Sequence, residues 1–224
     1  MTPTDGRVDF IVASQRVIEV PSSIRNPELL RRGRHNIVEA AIELFSTKGF
    51  HETSVDEIAQ ASGLTVGALY KYIRSKHDIL YLASVFQTEE VEEALLLWLD
   101  PARDPMEALS GAIEQFLRVT DRRYKVTRIN YRHNHVLEPQ ARETLFAMER
   151  QLRDIFVTLL DRAAPPKGVP GPRKLVLTTI ADNLVVLAHQ WSVNHRLYSE
   201  YLDLDGFISM QRRLILTSIG CPVA

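Results

Sequence analysis

The sequence predicts an all-α fold, and three observations lead to that prediction. Apolar residues recur at spacings of three and four along most of the chain after residue 27. Capping sequences such as Ser75-Lys76-His77-Asp78 precede several of these stretches. No convincing strand pattern follows residue 27. We therefore expect helices from Pro27 onward, separated by loops where Gly and Pro cluster.

Length and composition narrow the class of protein. The chain has 224 residues, of which 45% are hydrophobic and 25% charged, as in ordinary globular proteins. No stretch approaches about 20 uninterrupted apolar residues, so we expect no transmembrane helix and no membrane partner. The charged first twenty residues lack the apolar core of a secretory signal. The single cysteine, Cys221, cannot form an internal disulfide, so we expect a cytoplasmic protein.

The charge balance changes along the chain although the net charge is only −1. Residues 31–80 carry seven Lys and Arg against six Asp and Glu. Residues 81–100 carry five acidic residues and no basic one. This pattern indicates that the N-terminal part faces an anionic partner and that the following helix does not.

The N-terminal elements follow one another closely. Residues 1–27 have some strand character but read better as a mobile or loosely docked arm. A helix then runs to Gly49, and a short helix begins at either Thr53 or Ser54, each with a capping partner three residues later. Ala61-Ser62-Gly63 forms a tight turn, and a second short helix runs from about Thr65 to Ile73.

The remaining elements are helices of varied polarity. A long helix follows Ser75, an amphipathic helix covers residues 106–120, and a more polar segment covers residues 124–137. A further helix begins at Pro139 and runs to about Ala163. The Pro- and Gly-rich residues 164–172 are a loop, and two apolar helices follow at about 173–198 and 203–219.

The short helices of residues 53–73 form the most informative motif. Two short helices joined by a three-residue turn that contains glycine make a helix-turn-helix unit, in which the second helix can enter a DNA major groove. Helical bundles that bind no DNA also contain such pairs. The outward residues of the second helix include Thr65, Val66, Gly67, Tyr70 and Lys71. Small side chains there permit close approach to bases, whereas tyrosine and lysine side chains suit phosphate contacts.

A longer stretch resembles the TetR family of bacterial regulators. The resemblance is carried by the runs Ile37–Phe45, Gly49-Phe50, Thr53–Val55, Ile58-Ala59, Ala61–Leu64, Leu69–Tyr72 and Ser75-Lys76. It involves no insertion. Ile73 departs from the family, which usually has phenylalanine at this core position.

The resemblance implies a one-component repressor that acts as a homodimer on a palindromic operator and is released by a small molecule. It implies a three-helix DNA-binding domain, a helical C-terminal domain for the effector, and dimerisation through the last two helices, about 173–198 and 203–219. We expect an arm at 1–27, a DNA-binding domain at 28–75 and an effector domain at 76–224. The positions that match DNA-contacting residues of the family are Thr53, Ser54, Thr65, Val66, Gly67, Tyr70, Lys71, Tyr72 and Lys76.

Two groups of polar and aromatic residues in the C-terminal half are candidates for the effector site. The first comprises Asn130, Tyr131, His133, Asn134 and His135, and the second His189, Gln190, Trp191, Asn194 and His195. Polar groups within apolar helices need partners or a ligand. The predicted pocket residues are Trp98, Phe116, Tyr131, His135, Phe156, Trp191, Asn194 and His195. The alternative is that these are satisfied core residues and exposed histidines.

The sequence also bears on the class of effector and on functions other than DNA binding. Residues 188–208 resemble a C-terminal pattern of TetR-type regulators of fatty-acid or acyl-CoA metabolism, which implies an acyl-CoA-like effector or another apolar or aromatic metabolite. His133 and His135 point to different faces of a helix, so we expect no metal site. The absence of a G-x-G-x-x-G motif, a phosphate loop and a G-x-S-x-G elbow argues against an enzyme. A helical interaction protein with a vestigial helix-turn-helix is the remaining alternative.

Overall fold

The computed structural model describes residues 18–163 and 171–219. Within these ranges there is no strand, and the all-α prediction is confirmed. The helices are α1 (Pro27–Lys48), α2 (Val55–Ala61), α3 (Val66–Leu69), α4 (Lys76–Leu96), α5 (Pro105–Arg122), α6 (Tyr124–His133), α7 (Pro139–Ala163), α8 (Arg173–Val193), α9 (His195–Tyr198) and α10 (Leu204–Ser218). A 3₁₀ turn at Asn134–Val136 joins α6 to α7.

Helices α1 to α3 form the N-terminal head, and local sequence signals set their ends. The Asn26 side chain accepts hydrogen bonds from the N–H groups of Glu28 and Leu29, both at 3.0 Å, and so caps α1. Gly49 ends α1 with a φ of 104°, a conformation that favours glycine. The apolar sides of the three helices then meet in one core.

Ser54, and not Thr53, begins α2. Its side chain accepts the N–H of Glu57, and the Glu57 carboxylate in turn accepts the N–H of Ser54, which completes a capping box. Helix α3 is shorter than the sequence predicts, because it ends at Leu69 instead of Ile73. The N–H groups of Lys71 and Tyr72 donate to carbonyls three residues earlier, which tightens the chain into turns.

Helix α4 connects the two apolar cores of the molecule. Its first half, including Ile79 and Leu80, belongs to the core of the head. Its second half, including Val91 and Leu95, belongs to the core formed with α5, α7, α8 and α10. Helix α6 contributes Ile129 to the head core, so the two cores are not divided at residue 75. A displacement of α4 or α6 therefore acts on the head directly.

The segment before α1 is docked over residues 18–26. Val20 is buried, and the Arg34 guanidinium donates hydrogen bonds to the carbonyls of Val20 and Tyr72. The Ser22 hydroxyl donates to the Lys71 carbonyl at 2.7 Å, at the end of α3. Residues 1–17 of the predicted arm lie outside the described residues.

The last helices are interrupted more often than expected. Asn194 ends α8, so the predicted helix 173–198 is two helices, α8 and α9. Among the apolar residues of these helices, Val176, Leu184 and Trp191 are buried within the same chain, as are Phe207, Ile208 and Ile215. Leu175 and Leu214 remain exposed. None of the helices in the described part of the chain is long and apolar enough to cross a membrane.

Candidate DNA interface and ligand cavity

The outward face of α3 and its following turn is open to solvent. Thr65, Gly67, Tyr70 and Lys71 are exposed, and a Cβ added at Gly67 would meet no atom within 4 Å. Leu69 points the other way and is fully buried. The face therefore combines a flat glycine surface with one tyrosine and one lysine, an arrangement that permits close approach of a nucleic-acid backbone.

The hydroxyl groups of the two helix-capping residues of this motif already form hydrogen bonds within the head. The Thr65 hydroxyl accepts the N–H of Ala68 at 3.2 Å, and the Ser54 hydroxyl donates to the Glu57 carboxylate at 2.9 Å. Both side chains are exposed, so their remaining lone pairs face solvent. Val66 is half-buried against the head core.

Three of the predicted DNA-contacting side chains make contacts within the head. Thr53 is buried, and its hydroxyl donates to the Gly49 carbonyl at 2.7 Å. The Lys76 ammonium donates to the carbonyls of Phe50, His51 and Thr53 at 2.7, 3.0 and 3.2 Å, which uses all three of its N–H donors. These contacts fasten the loop between α1 and α2 and leave Lys76 no free donor for a phosphate.

Tyr72 is the third such residue. A Cβ on Gly33 would lie 2.2 Å from Tyr72 Cε1, so the ring packs directly on α1 where only glycine leaves room. The Tyr72 ring thus joins α1 to the turn after α3. By contrast, the Lys71 ammonium has no acidic partner among residues 18–163 and 171–219.

A cavity of about 270 Å³ lies between α4, α5, α6, α7 and α8. It is bordered on its apolar side by Val91, Phe116, Tyr131, Phe146, Leu152 and Val185. On its polar side it is bordered by Gln87, Thr88, Thr127, Asn130, Glu149 and His189. The mixture of an apolar wall with a few polar groups is typical of a small-molecule site.

Three polar groups of the cavity have no hydrogen-bond or ion-pair partner among residues 18–163 and 171–219. Asn130 Oδ1 is buried without a hydrogen bond. Desolvation by the surrounding helices raises the pKa of the Glu149 carboxyl above its ordinary value, although the residue is exposed at the surface of the chain. Burial lowers the pKa of the His189 imidazole. Both titratable groups are thus shifted toward their uncharged forms.

The structure brings only two of the predicted pocket residues, Phe116 and Tyr131, to this cavity. Phe156 lies behind Phe116, with ring centroids 5.2 Å apart, and is fully buried. The Trp98 ring packs against Gly111, outside the cavity lining. His135 is exposed after the end of α6 and does not line the cavity.

The second predicted group also lies elsewhere. Trp191 is buried and its indole N–H donates to Asp121 at 2.7 Å, so its polar atom is satisfied within the core. His195 stacks on Tyr124 with centroids 4.8 Å apart, and the Asn194 amide donates to Gln190. These three side chains therefore have partners within the chain or lie near its surface, as the alternative interpretation of the sequence expects.

Sequence reasoning missed Glu149, Gln87, Thr88 and Thr127 as cavity residues. Each stands beside other polar residues of its helix, a pattern that also marks a solvated face. Asn130 and His189 belong to the two groups of polar and aromatic residues identified as candidates in the sequence. For His189, the sequence signal was a histidine within the apolar helix α8. Within the described ranges, no group of three or more His, Cys, Asp or Glu side chains is arranged to hold a metal ion.

A helix-turn-helix head, joined by one continuous helix to a helical core with a cavity, defines the class of transcriptional regulators that bind DNA. Comparison with known proteins supports this class. The sequence profile described as "Bacterial regulatory proteins, tetR family" matches residues 37–81. The chain is 25% identical to the HTH-type transcriptional regulator HbdR of Aromatoleum sp. (strain CIB), over 84% of this chain and 81% of HbdR.

Solved structures show the same fold. A tetR-family regulatory protein from Rhodococcus RHA1 matches with a TM-score of 0.72 at 20% identity, over 86% of this chain and 99% of that one. AibR, solved in complex with isovaleryl coenzyme A and operator DNA, matches with a TM-score of 0.62 at 18% identity, over 85% of this chain and all of AibR. The N-terminal head thus matches the TetR family of bacterial regulatory proteins, and the whole chain has the fold of a solved member of that family.

Proposed function

We propose that this protein is a ligand-responsive repressor whose operator affinity is controlled from the cavity. The observation that carries the proposal is helix α4. Its first turns pack in the core of the DNA-binding head, and Gln87, Thr88 and Val91 on the same helix line the cavity. A ligand that displaces α4 therefore moves the head without any further relay.

The DNA contacts of this proposal come from the exposed face of the motif. Thr65, Gly67 and Val66 at the start of α3 face base edges, whereas Tyr70, Lys71 and Ser54 contact the phosphate backbone. Exposure and the free ammonium of Lys71 support these roles. Thr53, Tyr72 and Lys76 act by holding this face in place.

The operator is read by a homodimer in this proposal. Exposed residues on α8 recur every three or four positions and include Leu175, Thr179 and Val186, and α10 exposes Met210 and Leu214. Exposed apolar side chains on the two long terminal helices favour a partner. A second copy across a two-fold axis places two heads in successive major grooves of a palindrome, about 34–36 Å apart.

The effector of this proposal has a small apolar or aromatic body. A cavity of about 270 Å³ suits a short acyl chain or a single ring. The complex of AibR with isovaleryl coenzyme A supports an acyl thioester as one form of such a ligand. The bulky nucleotide of a coenzyme A ester would then remain outside the cavity. Release requires that the ligand bind the DNA-free conformation more tightly than the DNA-bound one.

Binding of the full-length protein to its own promoter region and to scrambled DNA, across a salt series, tests the proposal. We expect specific binding that weakens steeply with salt. Tyr70→Ala should weaken operator binding by about 1–3 kcal/mol without unfolding the head. Tyr201→Ala, which removes another exposed tyrosine far along the chain, is the matched control. Equal binding to both DNAs, or none at low salt, would contradict the proposal.

A further inference from the structure

Helix α3 is too short to fix the direction of the residues that follow it. It has four residues, Val66–Leu69, and a helix of this length is not stable in isolation. Leu69 anchors it on one side, because its side chain is fully buried in the head core. The chain then continues as Tyr70 and Lys71, which contact phosphates in the proposed function. The orientation of these two residues therefore depends on contacts from other parts of the head.

Residues 18–24, which we call the strap, supply such contacts. The Lys71 carbonyl accepts two hydrogen bonds from the strap, one from the Ser22 hydroxyl at 2.7 Å and one from the Ser23 N–H at 3.1 Å. The Ser22 hydroxyl also accepts the N–H of Ile24 at 3.0 Å. One serine side chain thus joins the backbone of the strap to the backbone of Lys71.

The strap is itself anchored to two helices. Val20 is buried in the head core, and its carbonyl accepts a hydrogen bond from the Arg34 guanidinium of α1. Arg34 Nε also donates to the Tyr72 carbonyl at 3.1 Å. The Ile18 N–H donates to the Tyr81 hydroxyl of α4 at 2.9 Å. The strap is therefore a fixed support against which the turn after α3 is held.

Two neighbouring serines of the strap differ in what their hydroxyl groups contact. The Ser22 hydroxyl binds the Lys71 carbonyl. The Ser23 side chain is exposed, and its hydroxyl forms no hydrogen bond with residues 18–163 and 171–219. A direct contact between the strap and DNA would use the free hydroxyl of Ser23. Support of Lys71 uses the bound hydroxyl of Ser22, so the two roles can be separated by substitution.

We infer that Ser22 is a positioning residue, through which the strap directs the Lys71 side chain toward the DNA backbone. Ser22 contacts Lys71 only at its carbonyl and contacts no DNA itself. The Lys71 ammonium has no acidic partner in the described part of the chain, so its backbone is what the protein can use to aim it. This inference rests on the proposed function, in which Lys71 contacts phosphate.

Operator affinity of the full chain across a salt series tests the inference with three variants: Ser22→Ala, Ser22→Thr and Ser23→Ala. We expect Ser22→Ala to weaken binding about threefold to tenfold, as the loss of one hydrogen bond would. Ser22→Thr, which keeps the hydroxyl, and Ser23→Ala, the matched control, should bind like the unsubstituted protein. Urea denaturation checks that each variant is folded.

The salt dependence separates positioning from a structural defect. Ser22→Ala removes no charge, yet it should lower the slope of log affinity against log salt by up to about one per subunit, because Lys71 loses its phosphate contact. A structural defect alone would leave this slope unchanged. An unchanged slope in Ser22→Ala would therefore overturn the inference. Equal losses of affinity in Ser22→Ala and Ser23→Ala would also overturn it, in favour of direct contact between the strap and DNA.

A double substitution asks whether Ser22 acts through Lys71. Once Lys71→Met has removed the ammonium, Ser22→Ala should cost little further operator affinity, because the two residues act as one unit. The same loss from Ser22→Ala in both backgrounds would overturn the inference.

The unsubstituted protein separates this inference from the proposed function. Specific operator binding that Ser22→Ala leaves unchanged would retain the proposed function and lose the inference. The absence of specific operator binding by the unsubstituted protein would overturn both.

Discussion

Arg34 shows how one buried side chain holds three segments of the head together. Its guanidinium projects from α1 and donates to the carbonyls of Val20, before α1, and Tyr72, after α3. Burial lowers the pKa of the guanidinium, but Asp78 and Glu19 oppose that effect through their negative charge. The sequence offered Arg34 only as one of several basic residues, because nothing in its spacing distinguishes a buried arginine from a solvated one.

Arg34→Met should therefore destabilise the protein. The substitution leaves two carbonyls without their donor, for which a loss of about 1–3 kcal/mol of unfolding free energy is expected. Urea denaturation followed by circular dichroism measures it. Arg32→Met, at an exposed position of the same helix, is the control and should change stability little. Equal midpoints for the two variants would contradict the role of Arg34.

At the scale of elements, the loop between α1 and α2 and the start of α4 decide which lysine can contact DNA. Lys76 caps the loop through three carbonyls, and its ammonium lies 4.8 Å from the centroid of the Phe50 ring. Lys71 follows α3 with an unpaired ammonium. Both lysines belong to the same sequence motif, so the sequence alone predicts a DNA contact for each of them.

The two lysines should respond differently to the same substitution. Lys71→Met should weaken operator binding and reduce the salt slope by about one per subunit, with stability unchanged. Lys76→Met should instead lower the urea midpoint, because three carbonyls lose their donor. Operator affinity across a salt series and urea denaturation are measured for both variants. A normal urea midpoint in Lys76→Met, together with a reduced salt slope, would restore the sequence-based role of Lys76.

The junction between the head and α6 contains a cluster of aromatic and imidazole rings. His133, at the end of α6, stacks on Phe50 with centroids 5.4 Å apart and lies 5.4 Å from His51. Burial lowers the pKa of His133, and the nearby His51, His135 and Arg132 lower it further, whereas Glu52 opposes them. The folded protein therefore favours the neutral imidazole.

Acidification should weaken this junction. Because the pKa of His133 is below its ordinary value of 6.5 only in the folded state, the unfolded chain takes up the proton first as the pH falls. The stability present above pH 6.5 is then lost as the pH falls toward the folded pKa. The urea midpoint is measured from pH 7.5 to 5.5, and His133→Phe should flatten this profile relative to the unsubstituted protein. His195→Phe is the control, and a profile equally steep in His133→Phe would contradict the prediction.

At the scale of the whole molecule, the exposed surface of α8 and α10 is what the proposed dimer requires. Leu214 is 57% exposed and Val186 53% exposed in the single chain. Most apolar residues of these helices, such as Trp191 and Phe207, instead face the core of their own chain. The two helices that the sequence marks as apolar thus contain both core residues and apolar surface residues.

Charges on this surface should separate the proposed dimer. Val186→Glu combined with Leu214→Glu would bury carboxylates in a two-fold interface, which is strongly unfavourable. Light scattering coupled to size-exclusion chromatography should then report a monomer, and operator affinity should fall. Leu97→Glu, at a residue 68% exposed beyond α4, is the control and should stay dimeric. A dimer that survives both substitutions would place the interface elsewhere.

The sequence by itself determined the helical fold, the helix-turn-helix and the resemblance of residues 37–81 to the TetR family. These follow from local signals: apolar periodicity, capping residues such as Ser54 and Ser75, and Gly49 and Gly63 where the backbone needs a positive φ. Helix ends differed by a few residues, as at α3, because tight turns after Leu69 compete with the helix through side chains far away in sequence.

Only the tertiary structure decided which polar side chains are free and which are occupied. Lys76 and Trp191 are residue types that often bind ligands. In this structure the Lys76 ammonium already donates to carbonyls of the loop after α1, and the Trp191 indole N–H already donates to the Asp121 carboxylate. Glu149 is a residue type that usually lies on a solvated surface, but the packing of five helices places it at a cavity. Hydrogen-bond satisfaction depends on atoms distant in the chain, so no local pattern encodes it.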